Sequence, residues 1–247
     1  MESSFVTKLL IFFLLSSPWI NDVWAQECPE RDYKLSSQAD VEALGSEGCS
    51  SISGNLSIVK DYGSTTGITD LNSLTALANV DGDLAIYGSS NGLYTTDWNA
   101  NDEGARLNLD GLTNLFRVGG DLRIFGVPLT DLNGLRALTT VGRDLRISYN
   151  SALVSIGIPG VDGLINLTRV GGRLQIRDNP SLTNLAGLSS LNEVRAQLII
   201  HNNRVLSSCL TTARLLGWPD KQDAVEYFSI QGNALGCNSR AEIYQEA

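Results

Sequence analysis

The sequence predicts a mainly β fold, a parallel solenoid built from leucine-rich repeats. One phrase is written four times with small changes, at residues 118–124, 141–147, 170–176 and 194–200. Its Leu-x-Ile core alternates apolar and polar positions, which is the period-two pattern of a strand with one buried face. Leucines spaced by three follow the copies. Self-similarity at such a period indicates stacked coils that share one hydrophobic core.

The first 25 residues are predicted to be a secretory signal. Lys8 precedes an apolar run at residues 9–15, and residues 23–25 are small or apolar, as a signal peptidase requires. The run is too short for a membrane anchor, because a spanning helix needs about 20 residues. We therefore expect a chain that is secreted, extracellular or at the cell surface, without membrane insertion.

The remaining residues 26–247 are predicted to form one domain. Its N-terminal cap is expected at residues 26–55, its repeats at 56–206 and its C-terminal cap at 207–247. The signal carries one lysine and two acidic residues, so its removal changes the formal net charge from −9 to −8. A moderately acidic surface disfavours nucleic acid and anionic membranes as partners.

Four cysteines lie near the ends of this domain, Cys28 and Cys49 at the start and Cys209 and Cys237 at the end. In an oxidising compartment an even number indicates disulfides. Of the three possible connectivities, position favours the local one, which joins the two cysteines at each end. Zinc is the rival interpretation, but the chain has no CxxC motif and a single histidine.

Local signals place the elements in order. Residues 36–45 begin with a hydroxyl cap, continue with an acidic first turn and end in glycine, which predicts a short helix across the open end of the repeats. Seven strands are then predicted, each with two inward side chains. Those pairs are Leu56/Ile58, Leu84/Ile86, Leu122/Ile124, Leu145/Ile147, Leu174/Ile176, Leu198/Ile200 and Phe228/Ile230.

An asparagine stands three residues beyond the isoleucine in four copies, as Asn150, Asn179, Asn203 and Asn233. An inward amide there can bond the backbone of its own turn and of the next coil. The alternative is an ordinary surface turn asparagine.

The second half of each coil carries leucines spaced by three, most regularly at 129–138 and 182–191. This spacing suits a tight coil or extended segment better than an α-helix. A glycine before a leucine marks a corner without room for a side chain, and the expected cross-section is four-sided. These glycines are Gly111, Gly134, Gly163 and Gly187.

The opening cysteines Cys28 and Cys49, the segment 52–58 and the repeated Val-Gly-Gly-x-Leu-x-Ile phrase resemble the receptor L-domain family. That family is the leucine-rich, disulfide-capped module of insulin and epidermal growth factor receptor ectodomains. The resemblance covers residues 28–237. It implies a right-handed β-helix of about six coils that binds partners without catalysis. Here the module is single, with no cysteine-rich neighbour and no kinase.

The sequence offers no convincing catalytic constellation, so we expect no enzyme and no cofactor. His201 follows Ile200 at a position expected to face solvent, and no nucleophile motif surrounds it. Asp121 and Asp144 each precede a strand and have an arginine two residues away, which predicts a charged cross-strand ladder rather than a glycosidase pair. No phosphate-binding loop motif occurs.

The strongest candidate binding residues stand directly after the inward isoleucines. Val59, Tyr87 and Phe125 occupy this outward position on three successive coils. The long loop 88–106 leaves the same region and contributes Tyr94 and Trp98. An exposed apolar cluster beside an aromatic, acidic loop is typical of a protein-binding site. Alternatively, the loop folds back and covers Tyr87 and Phe125.

The acidic segment 97–103 superficially resembles a calcium loop. It lacks the glycine at the sixth position and the glutamate at the twelfth. We therefore expect no metal site.

Two glycosylation sequons begin at Asn55 and Asn166, and both asparagines should face solvent. The sequence thus favours a secreted, non-catalytic glycoprotein that binds an extracellular protein or peptide, or a glycan. The alternative is a structural building block of a coat, wall or filament, in which the same surface serves self-assembly.

Overall fold

The protein is mainly β, with two parallel sheets of eight and six strands. The computed structural model describes residues 27–59, 67–68, 70–88, 107–157, 162–219, 225 and 227–247, so the predicted signal lies outside the described residues. The described strands are β1 Tyr33–Leu35, β2 Ser51–Ile52, β3 Leu56–Val59, β4 Asn79–Val80, β5 Leu84–Tyr87, β6 Arg117–Val118, β7 Leu122–Phe125, β8 Thr140–Val141, β9 Leu145–Ser148, β10 Arg169–Val170, β11 Leu174–Arg177, β12 Glu193–Val194, β13 Gln197–His201 and β14 Tyr227–Gln231.

The chain alternates between the two sheets. The larger sheet has the order β1-β3-β5-β7-β9-β11-β13-β14, and the smaller has the order β12-β10-β8-β6-β4-β2. Equivalent residues of neighbouring repeats pair directly, so that Leu122, Leu145 and Leu174 align across three strands. These leucines are fully buried, as the predicted alternation requires, and they form ladders in the shared core.

From β3 to β14, the segments between the sheets contain short 3₁₀ helices and no α-helix among the described residues. This agrees with leucines spaced three residues apart, which favour a tight coil over an α-helix. The N-terminal flanking residues and the last residues of the 3₁₀ helices are buried leucines in four of the five helices. The helices are Asn72–Leu74, Asp110–Leu112, Asn133–Leu135, Ala186–Leu188 and Leu210–Thr212.

The predicted glycine corners are confirmed by the closeness of the backbones there. A Cβ at Gly111 would overlap the carbonyl oxygen of Leu71, and one at Gly134 would overlap that of Leu109. Gly163 has a φ of +73°. Each repeat therefore stacks on the previous one at a distance that only glycine permits at these positions.

The four asparagines form a hydrogen-bonded ladder in which three are buried and Asn233 is half-buried, which excludes the surface alternative. Asn150 and Asn179 are completely buried. The Asn150 amide donates to the carbonyl of Ile124 and to Asn179 Oδ1, at 3.2 and 3.1 Å. Asn179 repeats the pattern with Ile147 and Asn203. Each amide thus satisfies a buried backbone carbonyl and links two repeats.

The N-terminal end is closed by helix α1, Gln38–Glu47, which packs against β1 and the first 3₁₀ helix. Its N-cap is Ser37, which forms a capping box with Asp40. The expected end at Gly45 was wrong: Gly45 lies within the helix, and Gly48 ends it with a φ of +67°. β1 was not predicted.

The C-terminal end is closed by helix α2, Arg240–Gln245, which sequence reasoning missed. Tyr244 donates a hydrogen bond to the carbonyl of Leu216 and fixes the helix. Phe228 occupies the predicted inward register position but is not buried. Phe228 pairs in register with Leu198, but β14 is the last strand, so the phenyl ring remains 38% exposed.

Both predicted disulfides are present, one at each end. Cys28 and Cys49 are joined with a Cα–Cα distance of 5.2 Å, and Cys209 and Cys237 with one of 5.6 Å. Neither α1 nor α2, the two α-helices in the described ranges, has the length and hydropathy needed to cross a bilayer.

Candidate binding face of the eight-stranded sheet

The outward face of the larger sheet carries two rows of side chains, because the strands are in register. One row, here called the arginine row, contains Ser57, Ala85, Arg123, Arg146, Gln175, Ile199 and Ser229. The second, here called the aromatic row, contains Val59, Tyr87, Phe125, Ser148, Arg177, His201 and Gln231. The predicted binding residues of the strands all belong to the aromatic row.

The structure places three predicted binding residues, Val59, Tyr87 and Phe125, side by side on neighbouring strands. Tyr87 and Phe125 are adjacent and half-buried. Val59 is only 5% exposed, so its expected contribution to an exposed surface was wrong. Its Cα partner is Tyr87, a much larger side chain beside which a valine reaches little solvent. Tyr94 and Trp98, with most of the loop 88–106, lie outside the described residues.

A depression of about 180 Å³ lies in the middle of this face. Its walls include Tyr87, Phe125, Ser148, Arg123, Arg146 and Arg177. Ser148 is the smallest member of the aromatic row at this point and stands between Phe125 and Arg177. The depression, called the Ser148 depression below, exists because a serine follows two aromatic residues in the stack.

Tyr149 packs against two residues of the walls, Phe125 and Arg177, and was missed by sequence reasoning. Its ring lies 5.1 Å from the Phe125 ring, and the Arg177 guanidinium carbon lies 5.1 Å from its centroid. Tyr149 has a φ of +60°, which is rare for a bulky side chain. Gly126, Asp178 and Asn202 occupy the same site in other repeats, also at positive φ. The sequence signal that could have identified Tyr149 is that other repeats have glycine, aspartate or asparagine at this position.

The predicted charged ladder is present at the edge where the strands begin. Within one repeat, Asp121 accepts from Arg123 at 2.5 Å, and Asp144 accepts from Arg146 at 2.7 Å. Between repeats, Asp121 Oδ1 accepts from the backbone N–H of Asp144, and Arg123 Nη1 lies 3.6 Å from Asp83 Oδ2. Burial would raise the pKa of Asp144, but the Arg173 backbone N–H and the Arg146 guanidinium outweigh it and lower that pKa. Asp144 therefore stays ionised and orients Arg146 across the sheet.

Three guanidinium groups face the Ser148 depression, and no carboxylate is among its lining residues. The Nε atoms of Arg123, Arg146 and Arg177 are buried and have no hydrogen-bond acceptor within the described part of the chain. Arg177 is the least engaged of the three, because its nearest carboxylate, Asp178, lies 3.8 Å from Nε.

His201 is half-buried rather than solvent-facing as expected. Its Nε2 lies 2.8 Å from Ser229 Oγ on the neighbouring strand. Burial lowers the pKa of His201 and outweighs the opposing effect of Asp178. A catalytic triad would need that carboxylate on the ring. Instead, Asp178 accepts a hydrogen bond from Asn202 and forms an ion pair with Arg177.

One group of potential metal ligands occurs among the described residues, formed by Cys28, Glu47 and Cys49. The two sulfurs are joined as a disulfide and therefore offer no thiolate. The calcium-like segment 97–103 lies outside the described residues.

The two sequon asparagines are both exposed, as expected. The side-chain oxygen Oδ1 of Asn55 accepts from the backbone N–H of Asp83. The side-chain nitrogen Nδ2 of Asn166 instead donates to the backbone carbonyl of Arg136. A glycan attaches through that nitrogen, so Asn166 would have to release a contact. Their modification remains a prediction.

Comparison with protein-family models, curated proteins and solved structures finds no match to this chain. The fold and the face define a mainly β, disulfide-bonded protein with two parallel sheets. Its function is therefore inferred from its own geometry.

Proposed function

We propose that this protein is a secreted, non-catalytic module that binds a protein or peptide partner through the outward face of the eight-stranded sheet, with the loop 88–106 contributing. The observation that carries the proposal is the Ser148 depression. Its walls combine Tyr87 and Phe125 with three arginines. Tyrosine, phenylalanine and arginine are enriched in the buried centre of protein interfaces. Tyrosine and arginine are also enriched among the residues that dominate affinity.

The proposal includes a finer architecture. We infer a right-handed parallel solenoid of about six leucine-rich coils, similar to the receptor L domain. The in-register pairing of equivalent residues and the alternation of the chain between two sheets support this arrangement. The two disulfides and the predicted signal support secretion.

An affinity pull-down from the source organism's surface extract tests the binding function. The Tyr87→Ala, Phe125→Ala double variant should lose the partner captured by the parent protein while it keeps the parent melting temperature. Phe116→Ala is the matched control, because Phe116 is 51% exposed and lies beside the smaller sheet. Equal capture by the double variant and the parent would refute the site.

A second candidate function is that of a building block in an extracellular coat, wall or filament. The larger sheet ends in β14, which carries Tyr227 at 62% exposure and the exposed Phe228. An apolar sheet end favours stacking of copies. Size-exclusion chromatography with light scattering distinguishes the two functions. A monomer at high concentration supports ligand binding, whereas concentration-dependent polymers support assembly.

A further inference from the structure

We propose that the Ser148 depression binds a carboxylate of the partner, an aspartate or glutamate side chain within an acidic peptide segment. This inference rests on the proposed function and specifies its chemistry. The site belongs to the sheet itself and includes only described residues: Phe125, Arg146, Ser148 and Arg177, with Tyr149 packed against Phe125 and Arg177.

Charge complementarity is the first argument. The whole chain has a formal net charge of −9, yet the depression is lined by three arginines and no acidic residue. The aspartates that pair with Arg123 and Arg146 lie at the start of the strands. Guanidinium groups bind carboxylates with a planar, two-pronged geometry. The arginines have aspartate partners outside the depression, but the only charged groups that the depression itself presents to an incoming ligand are guanidinium groups.

The engagement of the guanidinium groups is the second argument. Arg146 donates to Asp144 through Nη2 and is held in place by that contact. Arg177 makes no side-chain hydrogen bond within the described ranges, and its Nε is buried without an acceptor. A buried donor without an acceptor is unfavourable. An incoming carboxylate, reached by rotation of Arg177, would supply the hydrogen-bond acceptor that its Nε lacks, since Asp178 lies 3.8 Å away.

The size of the depression and its aromatic residues are the third argument, and they favour a single side chain of a peptide. Phe125 and Tyr149 contact each other at an interplanar angle of 52°, and Arg177 covers the Tyr149 ring. The volume of about 180 Å³ is below the range of about 300–1,000 Å³ for small-molecule pockets. It suits one side chain of an extended partner.

The test selects binders from random twelve-residue peptides displayed on phage, with the parent protein as bait. Selected peptides should be enriched in aspartate and glutamate. A synthetic peptide from the selection should lose at least about tenfold in affinity when its central glutamate is replaced by glutamine, since a hydrogen bond to a charged group contributes that much. Arg177→Gln and Ser148→Leu should cause a similar loss, by removing the cation and by filling the depression.

Arg169→Gln is the matched control. Arg169 lies on the smaller sheet and is 40% exposed, against 34% for Arg177, so the same charge is removed elsewhere. The Arg169→Gln variant should bind the peptide with the same affinity as the parent protein. Because Arg177 makes no side-chain hydrogen bond in the described ranges, its variant should fold, and melting curves verify this.

The outcomes separate this inference from the proposed function. If the selected peptides lose binding to Ser148→Leu but are not enriched in acidic residues, the proposed carboxylate ligand is wrong and the binding function remains supported. The absence of selectable peptides, together with a pull-down that captures no protein, overturns both. Arg177-dependent binding to immobilised polygalacturonate, without peptide enrichment, overturns the peptide in favour of an acidic glycan.

Discussion

At the scale of single residues, side chains at equivalent positions act as cross-links between repeats. Asn150, Asn179, Asn203 and Asn233 each bond a carbonyl of an earlier repeat, and each accepts from the backbone of the repeat before it. In contrast, Tyr149 occupies a position where its neighbours are glycine or small polar residues. The first group follows the repeat and stabilises the core, whereas the exception shapes the outward face.

Asn179→Ala should destabilise the protein by roughly 3 kcal/mol, because buried groups left without a partner cost about 1–3 kcal/mol each. The substitution removes the acceptor for the Asn150 N–H and the donor for the Ile147 carbonyl. Urea unfolding measures the change. Asn192→Ala, at an exposed position, is the control and should be nearly neutral. Similar midpoints for both variants would contradict the buried ladder.

Tyr149→Val should be less stable than Tyr149→Asn by about 1 kcal/mol or more, because a β-branched residue tolerates positive φ poorly and asparagine tolerates it well. Both variants lose the ring contacts with Phe125 and Arg177, so their difference isolates the backbone conformation. The free energies of unfolding in urea provide the comparison. Equal values would mean that the conformation at residue 149 relaxes.

Stability should decrease as the pH falls from 7 to 5. Burial lowers the pKa of His201 below its ordinary value of 6.5, so the unfolded chain binds the proton first and is favoured by acid. His201 is the single histidine of the chain. Urea midpoints across this range should therefore become nearly constant in His201→Gln. The lowered pKa values of Asp83 and Asp144 act in the same direction, but at more acidic pH.

At the scale of elements, short segments with strong local signals fold as the sequence indicates. The Ser37 capping box begins α1, and alternating leucine and isoleucine define the long strands. The 3₁₀ helices depend instead on close stacking, since a glycine is needed where one backbone contacts the next. Local sequence specifies the first kind of element, and contact between repeats specifies the second.

Gly111→Ala should be far more destabilising than Gly48→Ala. The new methyl group at residue 111 would overlap the Leu71 carbonyl, whereas nothing lies within 4 Å at residue 48. Gly48 has a φ of +67°, so its replacement should cost about 1 kcal/mol from conformation alone. We expect more than about 3 kcal/mol at residue 111. Thermal melting curves of the two variants measure the difference in stability. Comparable Tm values would contradict the close contact at residue 111.

At the scale of the whole molecule, the repeats require ends. The stack begins with α1 and the Cys28–Cys49 disulfide and finishes with α2 and the Cys209–Cys237 disulfide. A repeat buries its apolar face only against its neighbours, so the terminal repeats need covering elements. The ends therefore contain what the described part of the repeats lacks: the helices α1 and α2 and the four cysteines.

Cys209→Ser should lower the free energy of unfolding by about 3 kcal/mol, since a bridge that closes a loop of this size restricts the unfolded chain. The two cysteines are 28 residues apart. The expected result is a lower Tm and a titratable thiol at Cys237. The parent protein in reducing buffer should show a similar or larger decrease. An unchanged Tm in both experiments would contradict a capping role.

The sequence by itself determined the repeat, the inward ladders, the asparagine and glycine positions and the charged edge. These features follow from the spacing of residues along the chain, which is already visible within a single repeat. The tertiary structure decided which outward residues meet, because the stacking register brings Phe125, Ser148 and Arg177 from three repeats side by side. It also buried Val59, brought His201 to Ser229 and turned Tyr149 toward Phe125. The binding face depends on relative side-chain size between neighbouring strands, which no single segment of the chain contains.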